Sequence, residues 1–160
     1  MVNFTHHANR KLIACLEARG TGGRARELDP ADVENPHYTL GTHPEIVERL
    51  WDELGGAVPK PCRWILFGSP VLVHPRSGVV FGFAGGSLTY ALRLPPAERA
   101  AAIGAGAKAV HQYPAYPELN IAASTCDLAA DFGPEWVFGG WFKGEDQWCR
   151  AAFDFADPLL

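Results

Sequence analysis

The sequence predicts an α+β fold: an antiparallel β-meander of four or more short strands packed against amphipathic α-helices, in one domain spanning residues 1–160. Three observations carry that expectation. Residues 63–94 form a series of short β-branched and aromatic runs separated by small clusters of Gly, Pro and Ser, and connections that short force neighbouring strands to run antiparallel. The chain on either side carries apolar residues at helical spacing. Hydrophobic residues make up 48% of the 160 residues and aromatics 11%, and a chain of this size buries about two-thirds of its unfolded surface without needing a staple.

Phe4, Ala8, Leu12 and Leu16 recur at every fourth position, with Ile13 and Cys15 beside them, so one apolar stripe runs along a first helix. Gly20 suits the left-handed position just after its last turn. Residues 21–41 lack periodicity and hold Gly22, Gly23, Pro30 and the Asn35–Pro36 pair, so they read as a long surface loop. Asp29 is placed to cap a short turn within it. Thr42 and Glu45 have capping-box spacing, which satisfies the free amide donors of a helix start reciprocally. Ile46, Val47, Leu50, Trp51 and Leu54 then form a broad apolar face, Glu45 and Arg49 stand at i,i+4, and Gly55, Gly56 and Pro59 close the helix.

Strands are expected at 64–67, 71–74, 79–84 and 88–94. In the last, Leu88, Tyr90, Leu92 and Leu94 alternate with Thr89, Ala91 and Arg93. The apolar face so defined needs a cover, most simply the first two helices. Pro96 suits the first position of an alanine-rich helix over 97–109, where Gly104 and Gly106 each cost up to about 1 kcal/mol against alanine. Further on, 119–122 reads as a strand, Ser124 and Asp127 as the start of a short helix ending at Gly133, and 136–142 as another strand. Residues 145–155 close the chain as a helix with Trp148, Ala152 and Phe155 on one side.

Composition excludes several classes. The formal net charge is -4, which gives neither nucleic acid nor an anionic membrane a reason to bind. The arginines near the start are split between one helix and a loop, without the aromatic–basic motif of an RNA-binding sheet. The charge is nevertheless unevenly spread: Arg10, Lys11, Arg19, Arg24 and Arg26 crowd the first part, whereas Asp127, Asp131, Glu135, Glu145, Asp146, Asp154 and Asp157 crowd the last. No apolar run reaches the roughly 18 residues of a spanning helix, and the first residues lack a signal-peptide pattern. The four cysteines fit neither a disulfide framework nor a zinc knuckle. A cytoplasmic protein with reduced thiols is the expectation.

Four groups of residues invite chemistry. Segment 82–87 is rich in glycine, but β-type residues follow it and no Gly-Lys-Ser/Thr is present, so it reads as a hairpin turn and not a phosphate loop. Cys126 falls in the first turn of the helix that Ser124 would cap, where the helix dipole stabilises a thiolate. His111 would then serve as its base, with Asp127 or Asn120 orienting the ring. The six histidines show no chelating spacing, and His6 and His7, adjacent on a helix, would diverge, so no metal or other cofactor is expected. Segment 136–148 packs Trp136, Phe138, Trp141, Phe142 and Trp148 around Lys143, Glu145 and Asp146. Alternate side chains of one strand face opposite ways, so either a second layer covers the far face or part of this surface is open.

These residues point first to a non-catalytic cytosolic domain that recognises another protein, of the immunity or adaptor kind, through Trp141, Lys143, Glu145 and Asp146. A thiol-dependent hydrolase or transferase using Cys126, His111 and Asp127 is the catalytic alternative. A sensor holding a small molecule between sheet and helices is the third reading.

Overall fold

A computed structural model describes residues 1–19, 25–40, 44–85, 89–109, 134–139 and 145–157. Its centre is a seven-stranded sheet: β1 (Glu27–Leu28), β2 (Arg63–Leu66), β3 (Ser69–Val73), β4 (Val80–Gly85), β5 (Thr89–Arg93), β6 (Lys108–Ala109) and β7 (Trp136–Gly139). The spatial order is β1-β2-β3-β4-β5-β7-β6, and every neighbouring pair is antiparallel. The α+β meander expected from the sequence is therefore present.

The hairpins follow from local chemistry. Leu66 pairs with Ser69, leaving Phe67 and Gly68 as a two-residue turn with φ of 50° and 81°. Positive φ at both positions is what a primed hairpin turn requires, because its twist matches that of the strands. Between β3 and β4 the register slips, with Leu72 opposite Gly82 but Val73 opposite Val80. Phe81 is the extra residue of a β-bulge, so Phe81 and Gly82 both lean towards the same side of the sheet. Gly82 is small for a reason: a β-carbon there would lie 3.3 Å from both Leu72 and Leu92 on the flanking strands.

The described helices are α1 (Arg10–Arg19), α2 (Pro36–Thr39), α3 (Pro44–Glu48), α4 (Pro96–Gly104) and α5 (Glu145–Phe155). A 3-10 turn at His7–Asn9 leads into α1, and α3 runs on as a π-helix at Arg49–Leu54. Thr42 lies outside the described residues. The expected apolar face of this second helix is buried in full, at 1% exposure or less for Ile46, Val47, Leu50, Trp51 and Leu54. Trp51 also donates its indole N–H to the Val71 carbonyl at 3.1 Å. Arg49 pairs with Glu53 one turn on.

One expectation needs correction. The first two helices do not share a face of the sheet. Leu12 and Leu16 of α1 pack with Val71, Val80, Phe83, Ala91, Trp136 and Phe138 on one side. The α3 face, together with Trp148, Cys149 and Ala152 of α5 and Ala102 of α4, packs with Leu72, Phe81, Tyr90, Leu92 and Val137 on the other. Each helix stripe needed its own apolar partner, and the sheet is apolar on both sides. Strand β7 accordingly sends Trp136 and Phe138 to one core and Val137 to the other, with α5 as the second layer. Residues 25–40 are more ordered than a plain surface loop: they form β1 at the sheet edge, a 3-10 turn at Pro30–Asp32 and α2. Asp29 caps that turn as its position predicts, accepting from the Ala31 amide at 2.9 Å. Among the described residues, no helix is long and apolar enough to cross a membrane.

Candidate functional site

Of the sequence-predicted site residues, Cys126, His111 and Asp127 lie outside the described residues, as do Trp141 and Lys143. Glu145 and Asp146 are the first two residues of α5, placed by their backbone. Cys62 and Cys149 are buried, and burial pushes the Cys62 thiol up to about 11, away from the thiolate that a nucleophile needs at neutral pH. Gly82 and Gly85 belong to β4, and Gly85 pairs directly with Thr89 of β5, as the hairpin reading of this segment requires. Among the described residues, no group of three or more His, Cys, Asp or Glu is arranged to hold a metal ion.

The histidine pair departs from its expected geometry. His6 and His7 stack, with ring centroids 4.6 Å apart and an interplanar angle of 23°. The reason is that His6 sits outside the helix: its backbone is extended, and its Nδ1 caps the following turn by accepting from the Ala8 amide at 3.1 Å. The 100° divergence of adjacent helical side chains therefore does not apply.

Two further clusters resemble catalytic sets and are wired as scaffolding. His74 and Ser77, in the β3–β4 turn, lie beside Asp157, just after α5. His74 Nδ1 accepts from the amides of Arg76 and Ser77 at 3.1 and 3.3 Å, so the neutral ring carries its proton on Nε2. The Ser77 hydroxyl gives its proton to the Ala156 carbonyl at 2.8 Å. With its proton committed to a carbonyl, and the imidazole lone pair committed to the turn, no serine nucleophile is activated. Arg76 completes the clasp by donating to Asp157 at 2.8 Å. Elsewhere, Asp52 bridges His37 and Arg63, each at 2.8 Å. That network lies on a part-exposed surface, where such pairs contribute little.

What the fold does assemble is a cationic cleft of about 480 Å³. Its position follows from strand pairing. Arg93, the last residue of β5, pairs with Trp136 of β7, and the Leu94 amide donates to the Glu135 carbonyl at 2.8 Å. The chain then turns at Pro95 and Pro96 into α4, which carries Arg99 on its first turns. His7 and Lys11, one helical turn apart at the start of α1, close the opposite wall. Ala8, Leu12, Pro96, Pro134, Trp136 and Phe155 supply the apolar lining.

The electrostatics of this cleft oppose those of the chain. Among the described lining residues, Lys11, Arg93 and Arg99 stand against Glu135, three positive charges against one negative, in a protein of net charge -4. The Arg93 side chain is only 15% exposed and its Nε lies 3.8 Å from a Glu135 carboxylate oxygen. Its guanidinium lies over the Phe155 ring, 4.4 Å from the centroid. Burial pulls the Arg93 pKa below its ordinary value, with Glu135 pulling the other way. The Nε atoms of both Arg93 and Arg99 are buried without a hydrogen-bond partner. A guanidinium offers five donors in a fixed fork suited to oxyanions, so this arrangement can hold a carboxylate or phosphate.

The sequence reading passed over these residues because they come from distant parts of the chain. One signal was available. Arg93 shares its register with Ala91, whose side of the sheet is buried, and a charge on a buried register asks for a partner. No family model matches the chain, and no curated protein or solved structure matches it either.

Proposed function

We propose that this chain is a non-catalytic binding domain that holds a small organic anion in the cleft between the start of α1 and the ends of β5 and α5. The observation that supports this most is the charge inversion: Lys11, Arg93 and Arg99 line an open cleft of an otherwise acidic protein. The cleft volume of about 480 Å³ falls within the range of roughly 300–1,000 Å³ usual for small-molecule sites. This is the sensor reading of the sequence with its pocket relocated from the space between sheet and helices to the sheet's end. Protein recognition through Trp141, Lys143, Glu145 and Asp146, and thiol chemistry at Cys126 and His111, are supported by composition and spacing.

Calorimetric titration of the intact chain with benzoate and with benzyl alcohol, its neutral counterpart, tests the reading. Benzoate should bind at least about tenfold more tightly, since a charge-assisted hydrogen bond contributes roughly 1.5–3 kcal/mol. Arg93→Met should remove that preference. Equal binding of the neutral compound refutes the proposal.

A further inference from the structure

Resting on the cleft as an anion site, we propose that its ligand is an amphiphilic dianion: an organic molecule with two negative charges at one end and an apolar, ring-sized body at the other. Three features of the cleft specify each part of that description. The charge count comes first. Among the described lining residues, subtracting the Glu135 carboxylate from the three cations Lys11, Arg93 and Arg99 leaves an excess of two positive charges, and a monoanion would leave one of them unneutralised. In a partly desolvated cleft an unneutralised charge is disfavoured, so the better ligand is the one that matches both.

The second feature is the division of donors. Arg93 is flanked by the Phe155 ring on one side and by Glu135 near its Nε. Arg99 comes from a different element, α4, and lines the same cleft. Two guanidinium groups from separate walls suit a group with several acceptor oxygens, such as a phosphate monoester or a pair of neighbouring carboxylates. The third feature is size and lining. The cleft is far larger than a phosphate ion, and Ala8, Pro96, Pro134 and Phe155 line it with apolar surface that keeps some exposure. Covering that surface contributes affinity that a bare inorganic ion cannot gain.

The probes are phenyl phosphate and phthalate as ring-bearing dianions, benzoate as the ring-bearing monoanion, inorganic phosphate as the dianion without a body, and benzyl alcohol as the neutral ring. Titrations of the intact chain at pH 8, where phosphate monoesters carry nearly two charges, give the ranking. At least one of the two ring-bearing dianions should bind about tenfold more tightly than both benzoate and inorganic phosphate. Which of the two leads tells a phosphate ester from a dicarboxylate. Arg99→Met should bring the dianion to within about threefold of benzoate while leaving benzoate itself nearly unchanged. Lys11→Met, at an exposed position, should weaken the dianions more than benzoate and flatten their salt dependence. Benzoate binding as tightly as both dianions overturns the ligand class while the anion site stands. Benzyl alcohol binding as tightly as every anion overturns the site itself.

Discussion

Asn9 is the residue whose replacement should reveal most about how the ends of this fold are tied. It is fully buried, at 0% exposure, in the turn before α1. Its amide nitrogen donates to the carbonyls of Asn3 at 2.8 Å and Gly78 at 2.9 Å, and its oxygen accepts from the Val80 amide at 2.8 Å. One side chain thus joins the N-terminal segment to the β3–β4 turn and to the first residue of β4. In Asn9→Ala the two carbonyls keep other donors, because the Asn3 carbonyl also accepts from the His6 amide and the Gly78 carbonyl from the Asn3 amide. The Val80 amide does not, and a buried donor left unpaired costs about 1–3 kcal/mol. Adding the two lost donor bonds at about 0.5–1 kcal/mol each gives a total of roughly 2–5 kcal/mol. For a domain of this size that is a fall in Tm of about 4–20 °C. Differential scanning calorimetry at neutral pH measures it directly. Asn9→Asp is the informative companion: it keeps the acceptor for Val80 but aims a carboxylate at two carbonyls, so it should be at least as destabilising as alanine at pH 7. An alanine variant within about 2 °C of the parent would show that the side-chain bridge contributes nothing net and that the packing of Val2 and Leu12, with the Asn3 amide bond to the Gly78 carbonyl, holds the N-terminal segment.

Other perturbations test other joints. His74 is held neutral, its pKa lowered chiefly by burial, with Asp157 opposing and Arg76 adding to the shift. The unfolded ring titrates near 6.5 and so binds protons first on acidification. Stability should therefore fall as pH drops below about 6.5 and the slope should level off once the folded ring protonates. His74→Asn, which retains an acceptor for the turn amides, should flatten that part of a Tm-versus-pH curve, and parallel curves would refute the assignment. Gly78 has φ of 70°, and a β-carbon there would lie 2.7 Å from the Asn3 amide nitrogen. Gly78→Ala should cost about 2 kcal/mol or more, read as a lower urea midpoint at unchanged slope. Cys62, with its thiol near 11, should escape alkylation at pH 8 in the native protein and react once it is unfolded, as peptide mass spectrometry will show.

Most of the sheet was legible because its strands announce themselves by composition. The four central strands were expected at 64–67, 71–74, 79–84 and 88–94, and they occur within a residue or two of those limits. The closing helix Glu145–Phe155 has the bounds its periodicity predicts. Strands β1 and β6 were not seen, since two residues are too few to show a period of two. The misjudged layer has a different cause. Attention to the alternation in β5 suggested one apolar face, yet β3 is buried at every position. An uninterrupted run such as Val71, Leu72 and Val73 signals a sheet covered on both sides. The small Ala91, grouped with Thr89 and Arg93, masked the same message in β5.

The cleft was illegible for a deeper reason, which also bears on what it does. A catalytic or metal motif is visible in sequence when its residues share one helix turn or one loop, because spacing then encodes geometry. Lys11, Arg93, Arg99 and Glu135 share neither, and only the pairing of β5 with β7 and the seating of α1 across that edge bring them together. Each alone looks like a solvated surface charge. Their common address shows only once the strand order is known: β7 enters the sheet between β5 and β6 and so carries Glu135 and Trp136 to the end of β5. A binding site assembled this way depends on the fold being intact. Its ligand should therefore raise the stability of the whole protein by mass action, about 2.7 kcal/mol at a hundredfold excess over Kd. The same bond between site and scaffold predicts that Asn9→Ala, which loosens the seating of α1, weakens the anion as well as the fold.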